Sequence, residues 1–214
     1  MTEKQYEAFC EYREDMKSLC AKWMTYADEL RPLQTESASK DTPSYPLETP
    51  VVYNKAYDDI TADSEIKLIV IGDNPGKEEQ LAINNRYLVG QSGRIAEGFF
   101  RKNGELGIDF RKNAIIMNKT PVHTAKTAHL KYLKSHGSEE IKALILESQI
   151  CMAQLAARLH QKLETAELWL VGYSELKGRG LFLNYRNELL RCYRNDDGSL
   201  KKAGTAYLCS SIFL

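Results

Sequence analysis

The chain has 214 residues, with 29 Lys and Arg against 29 Asp and Glu, so its formal net charge is zero. That length fits one ordinary domain with an added helical arm and a sizeable core. The charge balance argues against a bulk nucleic-acid coat protein but allows a local basic face. No apolar stretch approaches membrane length, the N-terminus is charged, and the five cysteines at 10, 20, 151, 192 and 209 form no C-x-x-C pair. A membrane span, a secretion signal, a zinc site and a disulfide framework are therefore not expected, and a monomer in the cytoplasm is.

Residues 2–33 read as one helix, because Tyr6, Phe9, Tyr12, Met16, Leu19, Trp23, Ala27 and Leu30 recur at spacings of three and four. Pro32 is expected to end it. Residues 34–48 carry Ser, Thr, Lys, Asp and two prolines and read as a loop. Residues 1–48 are thus an arm packed on a domain spanning 49–214. A short extended piece at 50–54 leads to the apolar run 67–71, whose length and β-branched content suit a strand buried on both faces.

Gly72-Asp73-Asn74-Pro75-Gly76 breaks that strand. Pro75 fixes its own φ and biases Asn74 toward extended geometry, which makes a stiff loop at a strand's carboxyl end, where open α/β sheets bind ligands. A phosphate cradle fits poorly: three residues separate Gly72 from Gly76 where a P-loop has four, and Glu78 follows Lys77 where Ser or Thr belongs. A serine-hydrolase elbow at Ser92 fails on spacing, since Gly90-Gln91-Ser92-Gly93 is not G-x-S-x-G. An ordinary strand-to-helix turn is the plain alternative. A helix starting at Ser92 or Gly93 follows, with Arg94, Ile95, Ala96, Phe99 and Phe100 in helical register and Gly104 as its end.

Residues 113–118 form a second buried strand, followed by Lys119-Thr120-Pro121-Val122-His123 at its carboxyl end. His123, His129 and His136 are spaced by six and seven residues, which does not place metal ligands on one face, so they read as surface loop residues in a basic stretch over 123–136. Ser138 caps a helix to about residue 163, with Ile141, Leu144, Ile145, Ser148, Cys151, Met152, Leu155, Ala156 and Leu159 as its buried stripe. A third strand lies within 167–172, helix and loop over 173–194, a turn at 195–198 and a fourth strand over 205–213. This alternation predicts an α/β fold, a three-layer α/β/α sandwich around a mainly parallel four-stranded sheet.

Gly-x-Asn-Pro-Gly at 72–76, with Tyr87-Leu88-Val89-Gly90-Gln91-Ser92-Gly93-Arg94 downstream, resembles the first motif of the uracil-DNA glycosylase superfamily. The Asn-Pro-Gly form is similar to its mismatch-specific and single-strand-selective branches, and Val-Gly-x-Ser-Gly to its iron-sulfur branch. Asn118-Lys119-Thr120-Pro121 resembles the Asn-x-x-Pro of the single-strand-selective enzymes. The resemblance implies a monofunctional glycosylase of base excision repair, which hydrolyses the N-glycosidic bond of uracil or a related deaminated base in single- or double-stranded DNA.

By that resemblance Asn74 positions the attacking water, and Asn118 reads the edge of the flipped base. Backbone groups at Asp73 and Gly76 contact the base, with Tyr87 and Leu88 standing where the family has Pro and a stacking Phe. Lys77, Ser92, Lys119 and His123 are candidates for DNA phosphates. The family's His-Pro-Ser has its best counterpart in Cys209-Ser210-Ser211, at the end of a chain that stops at Leu214. No metal or other cofactor is expected: a cluster needs four converging thiolates, whereas Cys10 and Cys20 lie ten residues apart and Cys151 sits in a later helix. The missing His, Leu88 and the neutral charge leave two alternatives, a weak or inert homologue that binds nucleobases or nucleic acid, and a nucleotide-binding protein outside DNA repair.

Overall fold

The computed structural model describes residues 1–195 and 197–199, and the backbone of Ala206–Leu208. Helix α1 (Glu3–Met24) begins with a capping box, in which the Thr2 hydroxyl accepts from the Gln5 amide and the Gln5 side chain accepts from the Thr2 amide. Its Phe9, Tyr12, Met16, Cys20 and Trp23 are buried. Each large apolar side chain on this face is worth about 1.5–3 kcal/mol of burial, which is what anchors the arm.

The single helix expected over 2–33 is two. The Thr25 hydroxyl donates to the Lys22 carbonyl, and the chain turns at Tyr26 before α2 (Ala27–Ala38). Pro32 does not end α2 but lies inside it. The proline comes only six residues into the new helix, so it forfeits one backbone bond there. Leu30, Gln34 and Ala38, spaced by four on the buried face, carry the helix past it and into the segment expected to be loop.

The core is a parallel α/β sheet. Strands β1 (Leu68–Gly72), β2 (Ala114–Asn118) and β3 (Glu167–Leu170) lie in the order β2-β1-β3. The short segment β4 (Ala206–Leu208) pairs parallel beside β3. The five residues of β1 are all buried, and the four before Gly72 alternate between two hydrophobic clusters. Ile69 and Ile71 face α1 and α5 (Glu139–Leu163), whereas Leu68 and Val70 face Phe100, Phe110 and Trp169. Phe100, on α3 (Gln91–Lys102), stacks on both Phe110 and Trp169 at 5.4 Å between ring centres.

Helix α5 starts as its sequence suggests, with the Ser138 hydroxyl accepting from the Ile141 amide. Its expected stripe is buried except at Cys151, which is half-buried. It packs against α1 and against α6 (Leu183–Cys192). The stretch 123–136 is not a surface loop. It folds into a 3₁₀ turn, Thr127–His129, and helix α4 (Leu130–His136), whose Leu130 and Leu133 are buried in a helix that lies beside α2. Among the described residues no helix is long and apolar enough to cross a membrane.

Candidate functional site

A cavity of about 350 Å³ opens at the carboxyl ends of β1, β2 and β3. The register of the sheet builds it, because Gly72 pairs with Asn118 across β1 and β2. The last residue of one strand and the loop after the other therefore meet at one mouth. Asn74 and Asn118, separated by 44 positions in the chain, both line it.

The Asn74 amide is fixed by its nitrogen. Nδ2 donates to the Thr124 hydroxyl at 2.8 Å and to the Val122 carbonyl at 3.3 Å, and Thr124 in turn donates to the Lys126 carbonyl at 2.8 Å. Its Oδ1 accepts nothing from the described residues and is left as the free acceptor. Asn118 is the reverse case. It is 2% exposed, and its Nδ2 is buried with no hydrogen-bond partner. A buried donor left unpaired costs about 1–3 kcal/mol, so such a group at a cavity wall is poised for a ligand acceptor. Gly72 makes room for this amide, since a Cβ there would stand 2.5 Å from Asn118 Oδ1.

Glu79, which the sequence reading passed over, also lines the cavity. Its carboxyl is 7% exposed, and burial pushes its pKa from 4.5 up to about 7 against the pull of the Gly76 and Leu88 backbone. The Asn118 amide lies near enough to favour its charged form, yet Glu79 Oε2 and Asn118 Nδ2 each lack a hydrogen-bond partner. A side chain from the loop after β1 and one from the end of β2 thus share one half-satisfied polar corner.

Asp73 and Gly76 line the cavity as well. The Asp73 carboxylate takes an ion pair from Lys119 and sits against Gly172, whose φ of 70° and missing side chain it needs: a Cβ there would be 2.3 Å from Asp73 Oδ1. Lys119 itself is fully buried. Its ammonium also donates to the Val171 carbonyl at 2.6 Å and lies 5.1 Å from the centre of the Phe182 ring. Burial lowers its pKa, and the Asp73 carboxylate opposes that. Lys119 therefore ties the loops after β1 and β3 together and has no access to a DNA phosphate.

His123 is likewise not a surface residue. It is fully buried; Nδ1–H donates to the Pro75 carbonyl at 2.8 Å, and Nε2 accepts from the Tyr45 hydroxyl at 3.2 Å. Burial pushes its pKa down to about 4, so the ring is a neutral strut behind the Asn74 loop. Gln34 of α2 supports the same strut, donating to the Pro50 and His123 carbonyls at 2.9 and 2.7 Å. His129 is also largely buried, while His136 is exposed as expected.

Tyr87 does not reach the site. It is buried in the Phe100 cluster, and its hydroxyl donates to the Val52 carbonyl at 2.6 Å. Leu88 does line the cavity, at a φ of 51° that turns the two neighbours to opposite sides. The turn fits only because position 93 is glycine, where a Cβ would fall 1.4 Å from the Leu88 carbonyl oxygen. Ser92 is exposed on the cavity wall, and Lys77 is exposed outside it. Lys126, one of the lysines of the basic stretch over 123–136, stands on the rim and pairs with Asp41 at 2.9 Å. Cys209, Ser210 and Ser211 lie outside the described residues.

Among the described residues no three His, Cys, Asp or Glu side chains converge as metal ligands. Compared with protein-family models and with curated proteins, the chain gives no match in either case.

Proposed function

We propose that this chain is a uracil-DNA glycosylase-like hydrolase that cleaves the N-glycosidic bond of uracil, or a related deaminated base, in DNA. The observation that carries the reading is the pairing of Asn74 and Asn118 at one cavity mouth, with a free amide oxygen on the first and an unpartnered buried amide nitrogen on the second. The resemblance of the two motifs adds to it. The reading implies a three-layer α/β/α domain with β4 as the fourth strand of its sheet, acting as a monomer in the cytoplasm on uracil-containing DNA.

In this mechanism a flipped or single-stranded uracil enters the cavity. Asn118 offers N–H to a uracil carbonyl and its own oxygen to the ring N–H. Asn74 Oδ1 accepts from a water and aims it at the anomeric carbon; an amide is too weak a base to deprotonate it early, so orientation is its contribution. As the glycosidic bond breaks, water adds to the sugar and the base leaves as an anion that takes up a proton. Backbone N–H groups of the 73–76 loop stabilise that charge.

One feature favours a slow or inert homologue. The cavity presents the carboxylate of Asp73 and the carboxyl of Glu79, while Lys119 is spent on Asp73 and Lys126 on Asp41. A departing anion thus meets no unpaired cation among the described residues lining the cavity. The deciding experiment is cleavage of single-stranded and duplex oligonucleotides carrying one uracil, with alkali to break abasic sites. Asn74→Ala should lower base release by about 10²-fold or more while the variant stays folded. Release unchanged in that variant refutes the assigned role, and no release by the wild type at high enzyme concentration leaves the inert, base-binding homologue.

A further inference from the structure

A second cavity, of about 360 Å³, lies on the other side of the Leu88 turn. Leu88 lines the first cavity and Val89 the second, so one strained turn is the wall between them. The second cavity is no smaller than the first and falls in the range of about 300–1,000 Å³ typical of small-molecule sites. Its floor is the β2 edge, where Asn54 Nδ2 and the Tyr57 hydroxyl donate to the Ile116 carbonyl at 3.0 and 2.8 Å. The Asn54 side-chain Oδ1 is also used, accepting from the amides of Ala56 and Tyr87. The polar groups of the floor are thus satisfied by the protein itself.

The rim is different. Arg86, Arg94 and Arg111 all line this cavity. Arg86 pairs with Asp59 at 2.6 Å, and Arg111 with Glu97 at 3.2 Å while also donating to the Leu88 carbonyl at 2.8 Å. Arg94 has no ion pair or side-chain hydrogen bond among the described residues. It is exposed in the first turn of α3, a turn without an acidic residue. A cation at that end of a helix is placed against the backbone dipole, so the fold gains nothing from it there. Three guanidinium forks facing two carboxylates leave an unbalanced positive rim over that floor.

We propose that this cavity is a second ligand site, which takes a phosphate monoester carrying a planar ring that packs by its face: a nucleoside monophosphate, or the phosphorylated end of a nucleic acid strand. Guanidinium forks match phosphate oxygens two at a time, and a dianion suits a rim with Arg94 unpaired better than a monoanion does. The ring lies against Val89 and Ile116, which line this cavity. The proposal stands independently of the glycosylase reading, because none of the three arginines lines the first cavity.

The test is titration calorimetry on the full chain with thymidine 5′-monophosphate, inorganic phosphate, and a short oligothymidylate with and without a 5′-phosphate. The expected result is saturable nucleotide binding with a Kd of about 10 μM to 1 mM, at least about tenfold weaker in Arg94→Gln and unchanged in Asn118→Ala. Preference for the free nucleotide or for the phosphorylated strand end identifies the source. Absence of binding up to about 10 mM overturns the proposal. So does loss of binding in Asn118→Ala with none in Arg94→Gln, which would place the nucleotide in the first cavity. Inorganic phosphate binding as tightly as the nucleotide would overturn the role given to Val89 and Ile116.

Discussion

Glu79→Gln tests whether burial holds the Glu79 carboxyl protonated near neutral pH, by its effect on stability. The Glu79 carboxyl is 7% exposed, and its pKa is raised from 4.5 to about 7 because burial disfavours the charge. The folded state therefore holds a proton that the unfolded chain releases across that interval, and stability falls as pH rises through it. A raised pKa of this size corresponds to about 3.4 kcal/mol at ~1.4 kcal/mol per pH unit; the cavity admits water, so about 2–3 kcal/mol is the working figure. Glutamine does not titrate. The variant should match the wild type near about pH 4 and exceed it by about 2–3 kcal/mol near about pH 8, read from urea unfolding at steps between. His123 works in the opposite sense. Its pKa is lowered from 6.5 to about 4, so the stability it contributes is lost as pH falls below its unfolded value. The wild-type curve is therefore shallow over the shared interval, and the difference between variant and wild type isolates Glu79. A difference that stays within about 0.5 kcal/mol across the whole range refutes the reasoning.

Lys119→Met leaves Asp73 and the Val171 carbonyl without their cation, and should destabilise the protein by about 2–4 kcal/mol. The double variant with Asp73→Asn should recover more than half of that in the same urea titration. Gly72→Ala puts a methyl group 2.5 Å from Asn118 Oδ1, so the amide must turn. Under the glycosylase reading it should cut base release by about tenfold or more, with a Tm change of no more than several degrees by scanning calorimetry.

The buried strands were legible because each is a short apolar run closed by turn residues, and α5 because its cap and its stripe agree. The segment after Pro32 was not, since the sequence does not reveal that the helix had restarted at Ala27. The stretch 123–136 is rich in Lys and His and reads as solvated, yet Leu130 and Leu133 supply enough apolar surface to fix α4 beside α2. Lys119 and His123 look like surface cations for a common reason. Their partners, Asp73, Val171, Pro75 and Tyr45, lie between 46 and 78 positions away in the chain. Polarity at one position says nothing about a satisfying group brought in by another element.

Asn74 and Asn118 could be placed at one cavity from the sequence because one follows β1 and the other ends the neighbouring β2, and Glu79 was passed over because its meaning is borrowed from Asn118. In sequence Glu79 is an acidic residue in a polar loop; in the fold it faces an amide across a register that pairs Gly72 with Asn118. The same register explains why a glycine is needed at position 72. A side chain there would occupy the space of the Asn118 amide, and the corner that leaves Asn118 Nδ2 and Glu79 Oε2 unpaired would close. The chain thus keeps two buried polar atoms unsatisfied at the end of an otherwise fully packed strand pair, where a single larger side chain would have covered them. Under the glycosylase reading that cost is recovered when a ligand enters with an acceptor for the amide, and the corner between β1 and β2 is then the part of the cavity that would read base identity.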